Sequence, residues 1–459
     1  MSRTDERDKA ARTGLYDTAW PLEHADKWRT QSTSDAGLPR DFDSARLRVA
    51  TLEFDQPIVG YTRERDEVFI LGGMPYAMNE YTQAIIEGTT ESQTTVQELI
   101  SNLEHVPYVA KIDPVTLRFS VLSLTQGRTV NYPGGMLMHA NGFIYAVAQT
   151  VLYKIDPAEL RIVRSVHLPR IGQGIDAFLT IYNGLQVISS GQIVTKCFVG
   201  HQNPKQGWLL LIDPDDLHFD AAQLVGIQSA RLSLDEPEPG VAYVYAPTLT
   251  ESRRFRIVNE GFLLDQEWTA EYRIPETTWA NGTLFMKTHL VFPDNSAPGP
   301  TTPMHIYFHP IDDPPRRLEP QRSVSDTEAG VNFWKVLGDP YSNREHGLIV
   351  TFVPVNKKIA AYRLFAGGRA DLVWERDYLV SASPAMVPSR DHLYINDFDG
   401  EHDHFVALRL STGDELARRE LRAKEPTMGI IFPGMNDDVY LLSTETGQAR
   451  GFFNRIFLE

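Results

Sequence analysis

The chain has 459 residues, 42% hydrophobic and 23% charged, the balance of an ordinary folded protein and not of a disordered one. A formal net charge of -16, with no basic run interleaved with aromatics, argues against nucleic acid as a partner. A single cysteine excludes an internal disulfide.

Residues 1–44 read as an N-terminal extension ahead of one large domain over 45–459. The opening "MSRTDERDKAARTG" is charged and lacks the apolar core of a secretory signal, and no run of about eighteen apolar residues occurs anywhere. The expectation is a soluble cytoplasmic protein with no membrane partner. At Leu47, "LRVATLEF" alternates like a half-buried strand but has no partner nearby in sequence.

A repeat then begins. "VAKIDPVTL" at Val109 returns as "LYKIDPAEL" at Leu152 and "LLLIDPDDL" at Leu209. In each, a β-rich run meets Asp-Pro, a polar pair and a leucine. Asp accepts from the backbone two residues on and Pro fixes φ, so the cassette spells strand, tight turn, strand. Weaker copies follow at "RFRIVNEGFLL", "IYFHPIDDPPRRL", "AAYRLFAGGRADLV" and "VALRLSTGDEL". Upstream of the hairpins lie further strands: "EVFILGG", "GFIYAVAQ", "QIVTKCFVG", "VAYVYAPT", "LFMKTHLVF", "GLIVTFVP", "HLYINDF" and "DVYLLST". Their spacing, about forty to seventy-five residues, suits four strands per blade with some enlarged loops.

The expected fold is all-β, an eight-bladed β-propeller, with seven blades as the alternative. The last blade runs out of chain after "ARGFFNRIFLE", so the unpartnered strand at Leu47 is expected to pair with the C-terminal strand around 452–458 and leave no free edge. The first blade carries an insertion over 72–107. Within it "TVQELISNLEH" has a capping box and helical apolar spacing, which predicts an amphipathic helix over the channel, more mobile than the blades.

With these hairpins, and with "WPLEHADKWRTQST" at Trp20 ahead of them, the chain resembles the quinoprotein-type, PQQ-repeat-like β-propellers over most of its length. The resemblance implies the fold and not an activity. The quinone dehydrogenases of that family use a vicinal cysteine pair and repeated Trp-docking motifs. This chain has one cysteine and neither feature, so PQQ-dependent oxidation is not expected.

Propeller topology sorts candidate site residues by face. Turns joining strands A and B share one face, and loops joining B to C and D to A share the other. His139, His346 and His392 fall in A-to-B turns and read as structural. His201, His402 and His404 fall in B-to-C loops, with His289 on a strand leading into one. In "YINDFDGEHDHF", Asp397, Asp399 and Asp403 give D-x-D-G-x-x-D, alternating carboxylates without the closing Glu of a calcium loop. The stretch reads either as a charged turn or, with imidazoles beside it, as part of a divalent-metal site of Asp397, Asp399, His289 and His402.

Lys196 and Lys287 lie in apolar strand contexts, where a lysine either snorkels or is held at an inner site, and with His201 and His404 they form the candidate acid–base set. Tyr76 and Tyr81 in the insertion, and Trp279 and Trp334 ahead of inner strands, are candidate ligand-stacking aromatics. Cys197 reads as a buried apolar thiol. No G-x-S-x-G, P-loop, Rossmann or H-E-x-x-H motif occurs. The reading that follows is a propeller binding a small, partly aromatic or apolar metabolite at the channel mouth, with lyase, hydrolase or isomerase chemistry. The alternative is a non-catalytic interaction scaffold.

Overall fold

The computed structural model describes residues 12–34, 36–73, 106–126, 134–173, 177, 180–182, 184–199, 206–226, 231–238, 240–248, 251–259, 261–271, 278–280, 284–286, 289–296, 305–311, 322–323, 336–339, 346–353, 357–365, 369–445 and 450–459. Among them the chain forms eight antiparallel sheets, which succeed one another along the sequence as the blades of a β-propeller do. Sheet 1 shows the pattern: strand A (Val59–Glu64), B (Glu67–Gly72), C (Tyr108–Ile112) and D (Phe119–Ser123), each paired with the next. Sheets 2 to 7 span 134–167, 180–225, 233–271, 278–323, 336–377 and 385–420.

Burial follows strand order. Strand A of sheet 2 (Gly134–Met138) is buried at every position, whereas strand D of sheet 1 is mostly exposed. That inner strand, packed on both faces, is continuously small or apolar, and the outer strand tolerates charge.

The Asp-Pro cassettes fold as their chemistry directs. Asp113 accepts from the amides of Val115 and Thr116, Asp156 from Ala158 and Glu159, and Asp213 from Asp215 and Asp216. The leucine ending each cassette, Leu117, Leu160 or Leu217, takes a left-handed conformation. That placement costs a non-glycine residue roughly 1 kcal/mol. Packing against the core offsets it, most fully at Leu217, which is buried.

Sheet 8 joins the two ends of the described chain. Its inner segments (Thr427–Met428 and Ile431–Pro433) and strands B (Asp438–Glu445) and C (Gly451–Leu458) come from the C-terminus. The outermost strand is the N-terminal Leu47–Phe54, antiparallel to C from Leu47 opposite Leu458 to Phe54 opposite Gly451. The pairing anticipated from the unpartnered "LRVATLEF" is thus present. Sheet 8 also packs on sheet 1: a Cβ on Gly60 would collide with the Phe432 ring, and Thr444 Oγ1 donates to Pro57 O at 2.7 Å. No helix among the described residues is long and apolar enough to cross a membrane. The insertion helix expected within 72–107 lies outside the described residues.

Candidate functional site

The N-terminal extension does not trail away from the domain. It runs across the innermost strands and fills the middle of the propeller. It enters on the face of the A-to-B turns, where Leu15 bridges His139 and Tyr16 N donates to Met138 O. Trp20, fully buried, exchanges backbone and side-chain bonds with Thr62 of sheet 1, and Leu22 bridges Leu137 of sheet 2. The chain then turns back. Ser32 bridges Met386 in strand A of sheet 7 (Ala385–Val387), and Gly37 N donates to Gly434 O beside sheet 8.

The turn-back, residues 22–31, is organised by Asp26. Its carboxylate accepts from the amides of Trp28 and Thr30 at 3.0 and 3.2 Å and from the Thr30 hydroxyl. Gln31 N closes the loop onto His24 O at 3.0 Å. Ala25, Arg29 and Gln31 all take positive φ without being glycine. This is backbone strain of the kind that accumulates at functional sites, on the order of 1–3 kcal/mol per residue.

The tip of this loop meets the inner strands of sheets 3 and 4. Leu22, Glu23, His24 and Arg29 line one side of a cleft there, and Gly184, Gln186 and Arg231 line the other. Glu23 pairs with Arg231, and His24 Nε2 lies 3.7 Å from Glu23. Nearby, Lys27 pairs with Glu236 of strand A of sheet 4 (Ser233–Glu238), which also accepts from Ser189 N. Gln186 is buried, and its Oε1 has no hydrogen-bond partner among the described residues. Gly184, at φ +81, leaves its own backbone open for the Arg231 side chain to lie against. The space enclosed is about 10 Å³, room for roughly one water.

Lys196 belongs to the same neighbourhood. It lies on strand B of sheet 3 (Ile193–Val199), whose Val194 pairs with Gln186 and whose Thr195 Oγ1 donates to Gly184 O at 2.7 Å. It is fully buried, and Nζ donates to Pro247 O at 2.9 Å. Burial, reinforced by the Arg29 charge, lowers its pKa to about 7. Cys197, next in the strand, is buried with its thiol pushed up to about 12, as an apolar thiol should be.

The acidic hairpin "YINDFDGEHDHF" is the B-to-C connection of sheet 7, between Phe398 and Asp403. Its carboxylates serve the turn. Asp399 accepts from Glu401 N and His402 N, and those two bonds lower its pKa. Asp397 accepts from Leu379 N at 2.7 Å and pairs with Arg418 at 2.9 Å. His402 faces Glu420 at 3.9 Å and His404 faces Asp399 at 3.8 Å. Among the described residues no group of three or more His, Cys, Asp or Glu is placed to hold a metal ion.

His289 begins strand B of sheet 5 (His289–Ser296), opposite Met286, so it is on the strand that leads into the B-to-C connection, at that strand's A-to-B end. The run "LFMKTHLVF" contains both a short inner segment (Leu284–Met286) and the start of this strand. Trp279 lies within the inner segment Thr278–Ala280 of sheet 5. His201, Lys287, Tyr76, Tyr81 and Trp334 lie outside the described residues. His139 and His392 are structural, as their turns suggested: His139 Nε2 contacts Gly191 O, and His392 contacts Tyr394 Oη and Arg40 O, with burial lowering its pKa to about 4.

The residue in the hairpin with an unusual ionisation is Asp403, which is fully buried. It accepts from Asn396 Nδ2, from His404 N and from the Thr427 hydroxyl of sheet 8, yet burial still raises its pKa to about 7. The folded state therefore holds this proton more tightly than the unfolded chain. The stabilisation is complete below the ordinary value of 3.8 and is lost as pH rises through about 7. Asp403→Asn, which mimics the protonated acid, is expected to flatten the decline in melting temperature between about pH 4 and 7. An unchanged slope would show that another group carries it.

The comparisons agree with this architecture. No protein-family model matches the chain, and no curated protein matches it. Solved structures do. A quinohemoprotein alcohol dehydrogenase, ADHIIG, from Pseudomonas putida HK5 superposes with a TM-score of 0.60 at 9% identity, covering 99% of this chain and 81% of its own. A europium-containing methanol dehydrogenase gives 0.60 at 11% identity, covering 99% and 100%. The quinohemoprotein alcohol dehydrogenase of Comamonas testosteroni gives 0.57 at 9%, covering 99% and 82%.

The cleft at the extension's tip has room for about one water, whereas a ligand the size of a quinone needs a pocket of roughly 300–1,000 Å³. At these identities the likeness carries the fold alone: the chain has the β-propeller fold of the quinoprotein alcohol and methanol dehydrogenases.

Proposed function

We propose that the protein is an eight-bladed propeller, closed into a ring by its paired terminal strands, that binds a small polar metabolite in the cleft between residues 22–29 and sheets 3 and 4. One observation carries the reading: Glu23, His24, Arg29, Gln186 and Arg231, from three separate parts of the chain, converge there. Burying so much charge is costly, and a fold seeking stability alone would fill such a position with apolar side chains. Tyr76, Tyr81 and Trp334, which suggested an apolar ligand, lie outside the described residues, and the described walls favour a polar one. Chemistry at this cleft would be of the acid–base kind, lyase, hydrolase or isomerase; Lys196, whose pKa burial lowers to about 7, lies on the neighbouring strand and is not among the residues that line the cleft.

The scaffold reading draws on a different observation. Phe119 and Val121 on strand D of sheet 1 are each about half exposed, an apolar strip at the rim. A thermal-shift screen of small polar metabolites separates the two. On the cleft reading, at least one compound stabilises the parent, by about 2.7 kcal/mol at a hundred times its Kd. The Arg29→Gln variant loses that protection. Compounds that protect both proteins equally, or none that protects either, would count against the cleft.

A further inference from the structure

The outer strand of a propeller blade has one unpaired edge, and proteins ordinarily guard such an edge with charge. Among the described residues, the outer strands of sheets 2 to 8 each carry at least one Arg, Asp or Glu. Strand D of sheet 1, Phe119–Ser123, carries none. We propose that this edge pairs antiparallel with the same strand of a second copy of the chain, across a two-fold axis at Val121. The proposal concerns the rim and stands apart from the cleft.

The edge is open and partly prepared. Among the described residues its partner is strand C alone, from Ile112 opposite Phe119 to Tyr108 opposite Ser123. Phe119 is 50% exposed and Val121 49%, and the two-residue period of a strand puts them on one face. The Phe119 ring meets Phe54 edge-on at 5.0 Å, and Phe54 stacks on Tyr108. An aromatic held in place before contact loses little freedom on binding and serves as an anchor.

Charge and self-complementarity select the occupant. Pairing about Val121 sets that residue against its own copy and Phe119 against Ser123, with each Phe119 diagonal to the opposite valine on the same face. No charge enters the paired run. Arg118 and its counterpart stand at opposite ends of it, about 20 Å apart and beyond the screening length of roughly 8 Å. Two copies of net charge -16 repel over most of their surfaces, so an uncharged edge is where they can meet. A strand bearing the charges usual at an edge would set them against Phe119 and Val121, whereas the chain's own strand matches. The pairing covers both edges and offers none to a third copy, so it stops at a dimer. With a single short strand from each copy, the contact belongs to the weak, transient class.

The test is sedimentation of the full chain over a concentration series, with hydrogen exchange on the same samples. The parent should shift from monomer toward dimer as concentration rises, and the amides within 119–123 that point away from strand C should gain protection in step. Val121→Lys sets two ammonium groups directly opposite each other and Val121→Glu two carboxylates, so each variant alone should lose the dimer. Mixed in equal amounts the two variants should form a heterodimer, because each charge then meets its opposite. The position is exposed, so the melting temperature of the dilute variants should match that of the parent.

A parent that stays monomeric at every concentration would overturn the self-pairing. Val121→Lys dimers as tight as the parent's would place the interface elsewhere. Monomeric variants whose mixture does not associate would overturn the register about Val121. If a variant does not fold, exchange on the parent decides: dimerisation without new protection in 119–123 would sink the edge.

Discussion

Removal of the last eight residues, 452–459, is expected to abolish cooperative unfolding, so that the truncated chain shows no sharp calorimetric transition. These residues supply nearly all of the strand that pairs with Leu47–Phe54 on one side and with Asp438–Glu445 on the other. Phe452, Phe453 and Ile456 are fully buried, each worth roughly 1.5–3 kcal/mol. Arg455 pairs at 2.8 Å with Asp438, which is also fully buried. Deleting the arginine leaves that carboxylate uncompensated, a further loss of about 3–5 kcal/mol. The sum rivals the whole stability of an ordinary domain, roughly 5–15 kcal/mol. Asn454 adds hydrogen bonds to Leu441 O and Ser443 Oγ that no neighbouring strand can replace. A truncated protein that melts like the parent would mean the terminal pairing is dispensable.

The second large effect is opposite in sign. Lys196→Met should stabilise the protein at neutral and lower pH, by on the order of 1–4 kcal/mol, because it replaces a buried ionisable group with an apolar side chain of similar length. The folded-state pKa of Lys196, about 7, lies below its ordinary 10.5, so the folded protein binds this proton less tightly than the unfolded chain does. The penalty for burying the lysine is therefore full below about pH 7 and disappears as pH rises toward 10.5.

The advantage of the methionine should shrink over the same window. At high pH the variant should fall slightly below the parent, since Pro247 O loses its donor. Melting curves from pH 6 to 10 check this. Loss of metabolite protection alongside the gain in stability would mark Lys196 as a functional group kept at a cost to the fold. Destabilisation of the variant at every pH would show instead that the lysine is held by a charge partner.

How legible the protein was depends on the range of the interactions. The Asp-Pro cassettes could be read because their information is local: Asp113, Asp156 and Asp213 bond to amides two and three residues on. Strand B of most sheets was equally plain, being a short β-branched or aromatic run between turn residues. Even the terminal pairing could be inferred, since a strand without a partner at each end of a repeat has one economical solution. Reading failed at "LFMKTHLVF", where two strands meet with only Lys287 and Thr288 between them and the apolar pattern does not break. His289 begins the second of these strands, whereas the unbroken run reads as one strand.

The acidic hairpin drew attention for its composition, but composition does not say where lone pairs are spent. Asp397 and Asp399 use theirs on Leu379, Arg418 and the turn amides. The residues of the cleft gave no signal. Glu23 and Arg231 are some two hundred positions apart, and each sits among polar neighbours that read as ordinary loop. The extension was set apart at 1–44 because it lies ahead of the repeat, and nothing in its own pattern says that it threads the propeller.

Periodicity and turn chemistry act within a few residues, so the all-β class, the repeat, its hairpins and the strand that pairs the two ends are all written locally. What packs against the inner strands is set by contacts between distant segments. Inner strands of sheets 1, 2, 4, 7 and 8 contact an N-terminal loop whose charges are matched by the distant Arg231 and Glu236, and long-range matching of charge leaves no local trace in a sequence.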